Sequence, residues 1–171
     1  LRDRAGRAAV REFVAPLDAA IRCVSHEPIR QGVLDPEGRS LLALPLWIPL
    51  PHPRLEVELR LQHGFRVLAG AAHTTFYHYD LRIDGADLQF HWHPAGAVGF
   101  PHAHVRSTAN APSVLGNAHI PTGRTLLEHV VRFLIEEVGV VPIRDNWREV
   151  LDDGEREFVQ RASWRTAPGL G

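Results

Sequence analysis

From Arg54 to His93 the chain alternates apolar and polar residues, with Asp84-Gly85 set in the middle of the pattern. A period of two marks a strand buried on one face. Asp-Gly between two such runs is the strongest short-range signal for a two-residue hairpin turn. Closing the chain there sets Ile83 opposite Ala86, Arg82 opposite Asp87, Leu81 opposite Leu88, Tyr79 opposite Phe90 and His78 opposite His91. The register matches apolar with apolar and Arg with Asp, and a one-residue slip would turn every side chain to the wrong face. It places His78, His91 and His93 together, facing away from Leu81, Leu88, Phe90 and Trp92.

The flanks extend this frame. Leu55, Val57, Leu59 and Leu61 alternate with Arg54, Glu56, Glu58 and Arg60, and Phe65, Val67 and Ala69 resume the pattern. Gln62-His63-Gly64 between them predicts a three-residue hairpin loop with Gly64 in the left-handed conformation. Leu41 to Leu50 is apolar but interrupted by Pro45 and Pro49, as in an edge strand. In the N-terminal part, Val10, Phe13 and Val14 share one helical face, and Pro16 predicts the restart of a second helix through Leu17, Ala20, Ile21 and Val24. Thr125-x-x-Glu128 reads as a capping box opening a helix that Gly139 stops, with further helices from near Asp145 and near Asp153. Trp147, Leu151, Phe158, Val159 and Trp164 are expected to dock them on the sheet.

The expected class is therefore α+β: an antiparallel sheet of about five strands with helices packed on it. We expect one domain over residues 1–171, with an N-terminal helical segment at 1–25, the sheet at 41–106 and C-terminal helices at 124–164.

Composition excludes several chemistries. The 19 basic residues are all arginine, so no Schiff-base or P-loop lysine exists. Cys23 is the only cysteine, which removes both an intramolecular disulfide and a multi-cysteine zinc site. The net charge of −1 argues against a bulk polyanion-binding surface. No apolar run reaches the ~20 residues that span a bilayer, and no charged-then-apolar leader is visible; a cytoplasmic address without membrane contact is the expectation.

Seven of the 11 histidines fall between His73 and His119, including the pairs His91-Trp92-His93 and His102-Ala103-His104. H-x-H on a strand projects two imidazoles to one side, about 7 Å apart at Cα. Two chemistries suit such a face. In the first, no cofactor is needed: His78, His91, His102 and His104 supply a neutral base and a protonated acid for phosphodiester cleavage, and Arg82 and Arg106 stabilise the phosphate. In the second, His91, His93, His102 and His104 hold a divalent metal such as zinc, in a cupin-like protein or a zinc hydrolase, with Asp80 as ligand or orienter. A third reading is a non-catalytic interaction module, since Glu128 to Glu157 carries nine acids against four arginines. His119 with Thr122, Gly123 and Arg124 stands before a helix, where a phosphate could bind, but helix entry is the preferred explanation of these residues. His129 reads as structural, and His26, His52 and His63 as isolated loop residues.

Tyr77-His78-Tyr79, Leu88-Gln89-Phe90-His91-Trp92 and Phe100-Pro101-His102-Ala103-His104 together resemble the TumE-like toxins of bacterial toxin–antitoxin pairs. The likeness covers residues 76–105. Where that family usually carries an Arg-x-Asp-Asn-like segment, this chain has His91-Trp92-His93-Pro94. The resemblance implies a toxin acting on RNA, a partner antitoxin protein, and site roles for His78, His102 and His104.

Overall fold

Residues 4–94, 98–107 and 118–160 are described in a computed structural model of the chain. Helix α1 is Arg4–Ile21. The strands are β1 (Arg30–Gln31), β2 (Arg39–Ala43), β3 (Ile48–Pro49), β4 (Val57–Leu68), β5 (Ala71–Ile83), β6 (Ala86–Trp92), β7 (His102–Ser107) and β8 (Ile120–Pro121). Helix α2 (Leu127–Phe133) runs into a π turn (Leu134–Val138), and α3 is Trp147–Gln160. The class is α+β, as expected, with a larger sheet: among the described residues, eight strands, seven in the order β1-β2-β4-β5-β6-β7-β8 and β3 also paired with β4. The sheet extends beyond 41–106 because β1 and β8 add to its edges. Each is a two-residue strand, too short for alternation to reveal.

The hairpin register is the one the turn dictates: His78 pairs with His91, Tyr79 with Phe90, Leu81 with Leu88, Arg82 with Asp87 and Ile83 with Ala86. Asp84 (φ 46°) and Gly85 (φ 79°) both take the left-handed conformation that a type I′ turn demands. Asp84 is also held from outside, its Oδ1 accepting the Glu56 N–H at 2.8 Å.

The loop expected at Gln62-His63-Gly64 does not form. Strand β4 runs straight through, and the reversal comes later at Ala69 (φ 49°) and Gly70 (φ 79°). Gly64 serves close approach instead. A Cβ there would lie 2.2 Å from Cε1 of Phe76, so the neighbouring ring needs the missing side chain. The register shifts beside it, from Gly64–Phe76 to Phe65–Thr74, which brings Thr74 to the inner face. His63 is consequently a core residue and not a loop residue. It is fully buried, with Nδ1 2.8 Å from the Tyr79 hydroxyl and Nε2 3.0 Å from Thr74 Oγ1. Burial pushes its pKa down to about 3.

The helices also differ from expectation. Pro16 lies within one continuous α1 and does not start a second helix. An interior proline costs about 3 kcal/mol; burial of Phe13, Leu17, Ala20 and Ile21 on the same helix offsets it. The two expected C-terminal helices are one, α3, which passes through Gly154. A Cβ at Gly154 would sit 2.7 Å from Glu128 Oε1, so this glycine lets α2 and α3 approach. Thr125 and Glu128 form no capping box: the N-cap is Leu126, without a side-chain cap, and Glu128 points inward, fully buried. Gly139 (φ 90°) ends the π turn as expected. Trp147, Leu151 and Phe158 are buried, Val159 is exposed, and Trp164 lies outside the described residues.

One apolar cluster joins α1, α2 and α3 to Leu59, Leu61, Tyr77, Tyr79 and Leu81 on the inner face of the sheet. Alternation then sends His78, Asp80, His91, His102 and His104 to the opposite face. Among the described residues no helix is long and apolar enough to cross a membrane.

Candidate metal centre

Two cross-strand rows build the site. The first runs His78–His91–His102 across β5, β6 and β7. The second, one pleat along, runs Arg60–Asp80–Gln89–His104 from β4 to β7. Strand pairing thus places both H-x-H pairs on one face. Ring centroids are separated by 4.5 Å for His78–His91, 5.8 Å for His91–His102, 5.4 Å for His91–His104 and 5.0 Å for His102–His104. His93 lies 5.3 Å from His102 and 5.8 Å from His78.

Three of these rings present nitrogens to a common space. One ligand atom from each of His91, His102 and His104 lies within 4.8 Å of the others. The hydrogen bonds at the far sides of two rings decide which nitrogens these can be. His91 Nε2 is 2.8 Å from Asp80 Oδ1, and an ionised carboxylate only accepts, so Nε2 donates and Nδ1 is the nitrogen left to meet a ligand. His102 Nδ1 is 2.9 Å from the Phe100 carbonyl, so Nδ1 donates and Nε2 carries the lone pair. That Nε2 is buried without a hydrogen-bond partner, as is His104 Nδ1. Buried polar atoms are nearly always satisfied, and two orphaned imidazole nitrogens beside each other point to a ligand.

Asp80 is itself fastened. It is 2% exposed, and its Oδ2 accepts from Arg60 Nε at 2.9 Å and Nη2 at 2.7 Å. Burial works against its ionisation, but the hydrogen bonds from His91 and Arg60 outweigh it and hold the carboxyl below its ordinary range. Histidine held by an anchored carboxylate is the usual outer support of a metal ligand.

The electrostatics favour neutral rings. Burial, then the neighbouring imidazoles, lowers the pKa of His104 to about 4 and lowers that of His102 as well. His78 falls to about 4 by burial and the proximity of His91. A metal requires the neutral form.

The remaining candidates are placed as follows. Arg82 contacts Asp87 at 3.1 Å and Glu58 at 3.3 Å and lies over the Trp47 ring at 4.3 Å. It stands four residues along β5 from His78. Arg106 is exposed on β7, opposite Asp87, and its charge is one of the influences lowering the His104 pKa. Arg124 lies 4.5 Å over the Trp92 ring, before the start of α2. His129 meets Glu155 at 3.2 Å, tying α2 to α3. His52 is no isolated loop residue: Nε2 donates to the Val138 carbonyl at 3.0 Å, and Nδ1 accepts from Leu55 N–H at 2.7 Å.

Sequence reasoning missed His119 as part of this face. Its ring is 4.9 Å from His102 and 4.6 Å from His104. It precedes β8, which pairs with β7 through only Ile120 and Pro121, so no periodicity announces it.

Fold and site together define an α+β protein with a histidine cluster on the sheet face opposite its apolar core. No known protein family matches the chain, and no curated protein or solved structure shows significant similarity to it.

Proposed function

We propose that this protein binds a zinc-type divalent ion through His91, His102 and His104 and uses it in metal-assisted hydrolysis. The observation that carries the reading is the pair of buried, unpartnered nitrogens, His102 Nε2 and His104 Nδ1, converging with a His91 ring pinned by Asp80. Zinc binds imidazole nitrogen at about 2.0–2.1 Å, so the ligand nitrogens would sit roughly 3.4 Å apart and the rings close by about an ångström. An all-nitrogen donor set suits zinc, copper, nickel or cobalt and does not suit magnesium or calcium. An ion with three protein ligands supplies a Lewis acid with a further position for an exchangeable ligand. The chain's own contribution is orientation: Arg60 holds Asp80, Asp80 holds His91, and the Phe100 carbonyl holds His102.

The metal-free ribonuclease reading, with its toxin–antitoxin setting, needs an imidazolium beside a neutral ring and an arginine aimed at phosphate. Burial keeps His78, His102 and His104 neutral, and Arg82 is engaged by two carboxylates. Both observations favour the metal. A cupin-like form of the metal reading fits less well than a separate histidine metalloprotein, because among the described residues the strand order runs from β1 to β8 without closing and the helices pack on the face opposite the histidines.

Metal analysis of protein purified without an affinity tag tests the proposal. One equivalent of zinc, cobalt, nickel or copper is expected, lost in a His102→Ala/His104→Ala protein whose circular dichroism is unchanged. Equal metal content in the doubly substituted protein refutes it.

A further inference from the structure

We propose that His119 is a fourth, displaceable ligand of this centre, so that the ion rests enclosed by four imidazoles and opens by exchange of one exposed ring. The inference rests on the three-histidine reading above and adds how access to the ion is controlled.

Geometry comes first. Imidazoles sharing one ion at about 2.0–2.1 Å have ring centroids roughly 5 Å apart. His119 stands 4.9 Å from His102 and 4.6 Å from His104, while the three proposed ligands are themselves 5.0 to 5.8 Å apart. Its nitrogens fall outside the group that lies within 4.8 Å, so its exposed ring would turn to reach the ion. His102 and His104 therefore form a shared edge. His91 flanks it from β6, and His119 flanks it from the side of β8, on the opposite edge of β7. The two orphaned nitrogens belong to that shared edge. His93 competes less well: it approaches His102 at 5.3 Å and otherwise leans on His78 at 5.8 Å.

Exposure and anchoring then separate His119 from the other three. His102 and His104 are buried and His91 is half-buried, whereas His119 is exposed. The rings of His91 and His102 are fixed by Asp80 and by the Phe100 carbonyl. Among the described residues, the strand beside His119 is held to β7 by two residue pairs and, just past them, by the Thr122 N–H donating to the Pro101 carbonyl at 2.9 Å. Weakly anchored segments open locally at low cost. An incoming donor would thus replace His119 before any other ligand, and the released ring would stay at the rim of the site.

Cobalt(II) reports on this directly, because its visible spectrum depends on the number and geometry of its ligands. The full chain loaded with cobalt should show a four-coordinate spectrum that azide alters only at high concentration. His119→Ala should change the spectrum, bind azide about tenfold or more tightly, and return to the wild-type spectrum when imidazole is added. His119→Gln, which keeps bulk and polarity, should behave as His119→Ala does. If both variants match the wild type in spectrum and azide affinity, the inference fails and the three-histidine centre stands. Strong azide binding by the wild type overturns the inference in the same way, without recourse to a variant. If the wild type takes up no cobalt, the centre and the inference fall together.

Discussion

Asp80 Oδ1 lies 2.8 Å from His91 Nε2, and that carboxylate reaches the histidine from a position 2% exposed. The pair is made across adjacent strands, from a residue opposite Gln89 to one opposite His78. It converts a half-buried imidazole into an oriented one.

Asp80→Asn should lower metal affinity by about 10- to 100-fold, the usual effect of losing an outer carboxylate, with His91, His102 and His104 all in place. An amide can still accept from Arg60, so folding is retained. Competition against a chromogenic chelator measures the change. Unaltered affinity would show that Asp80 serves the Arg60 pair alone.

Glu128 is fully buried, and no other residue donates a hydrogen bond to its carboxylate. Burial raises its pKa to about 7 from the ordinary 4.5. Between these values the unfolded chain has lost the proton and the folded chain keeps it, so this group's contribution to stability falls as pH rises from 4.5 to 7. Glu128→Gln removes the titration. Relative to wild type, the variant should gain about 3 kcal/mol between pH 4.5 and pH 7.5. Urea unfolding at the two pH values checks this; a constant difference would show that Glu128 does not titrate in that range.

The histidines act in the opposite sense. Burial holds His63 at about 3 and His78 and His104 at about 4, all below the ordinary 6.5. Below pH 6.5 the unfolded chain gains protons that the folded chain refuses, so stability is lost as pH falls from 6.5 toward 4 and continues to fall toward 3. In metal-free Glu128→Gln protein, where the opposing carboxyl is absent, the urea midpoint should drop throughout that range. A flat midpoint from pH 6.5 to 4.5 would show that the three rings are not kept neutral by burial.

Metal should stabilise the fold by mass action. With zinc at about 100 times its dissociation constant the gain is about 2.7 kcal/mol, and chelator should reverse it. In His102→Ala/His104→Ala protein zinc should leave the melting temperature unchanged. A zinc-dependent shift in that variant would place the binding site elsewhere.

The β5–β6 hairpin and the pairing of His78 with His91 were legible in the sequence, because a two-residue Asp-Gly turn ties register to local chemistry and leaves no slack. The class followed from strand alternation in the middle and helical spacing at both ends, and the excluded chemistries followed from having no lysine and one cysteine. What depends on contacts distant along the chain was decided by tertiary structure. The meeting of His104 with His91, and of His119 with both His102 and His104, follows from β7 joining β6 and β8 joining β7 across long connections. A two-residue strand carries no period, so nothing local joined His119 to the histidine face. The same holds for the interior. Gly64 suggested a loop when it was making room for Phe76, and Glu128 suggested a cap when its helix begins one residue after an uncapped Leu126. In both cases the residue type satisfied a local rule, while packing against a distant neighbour chose its place.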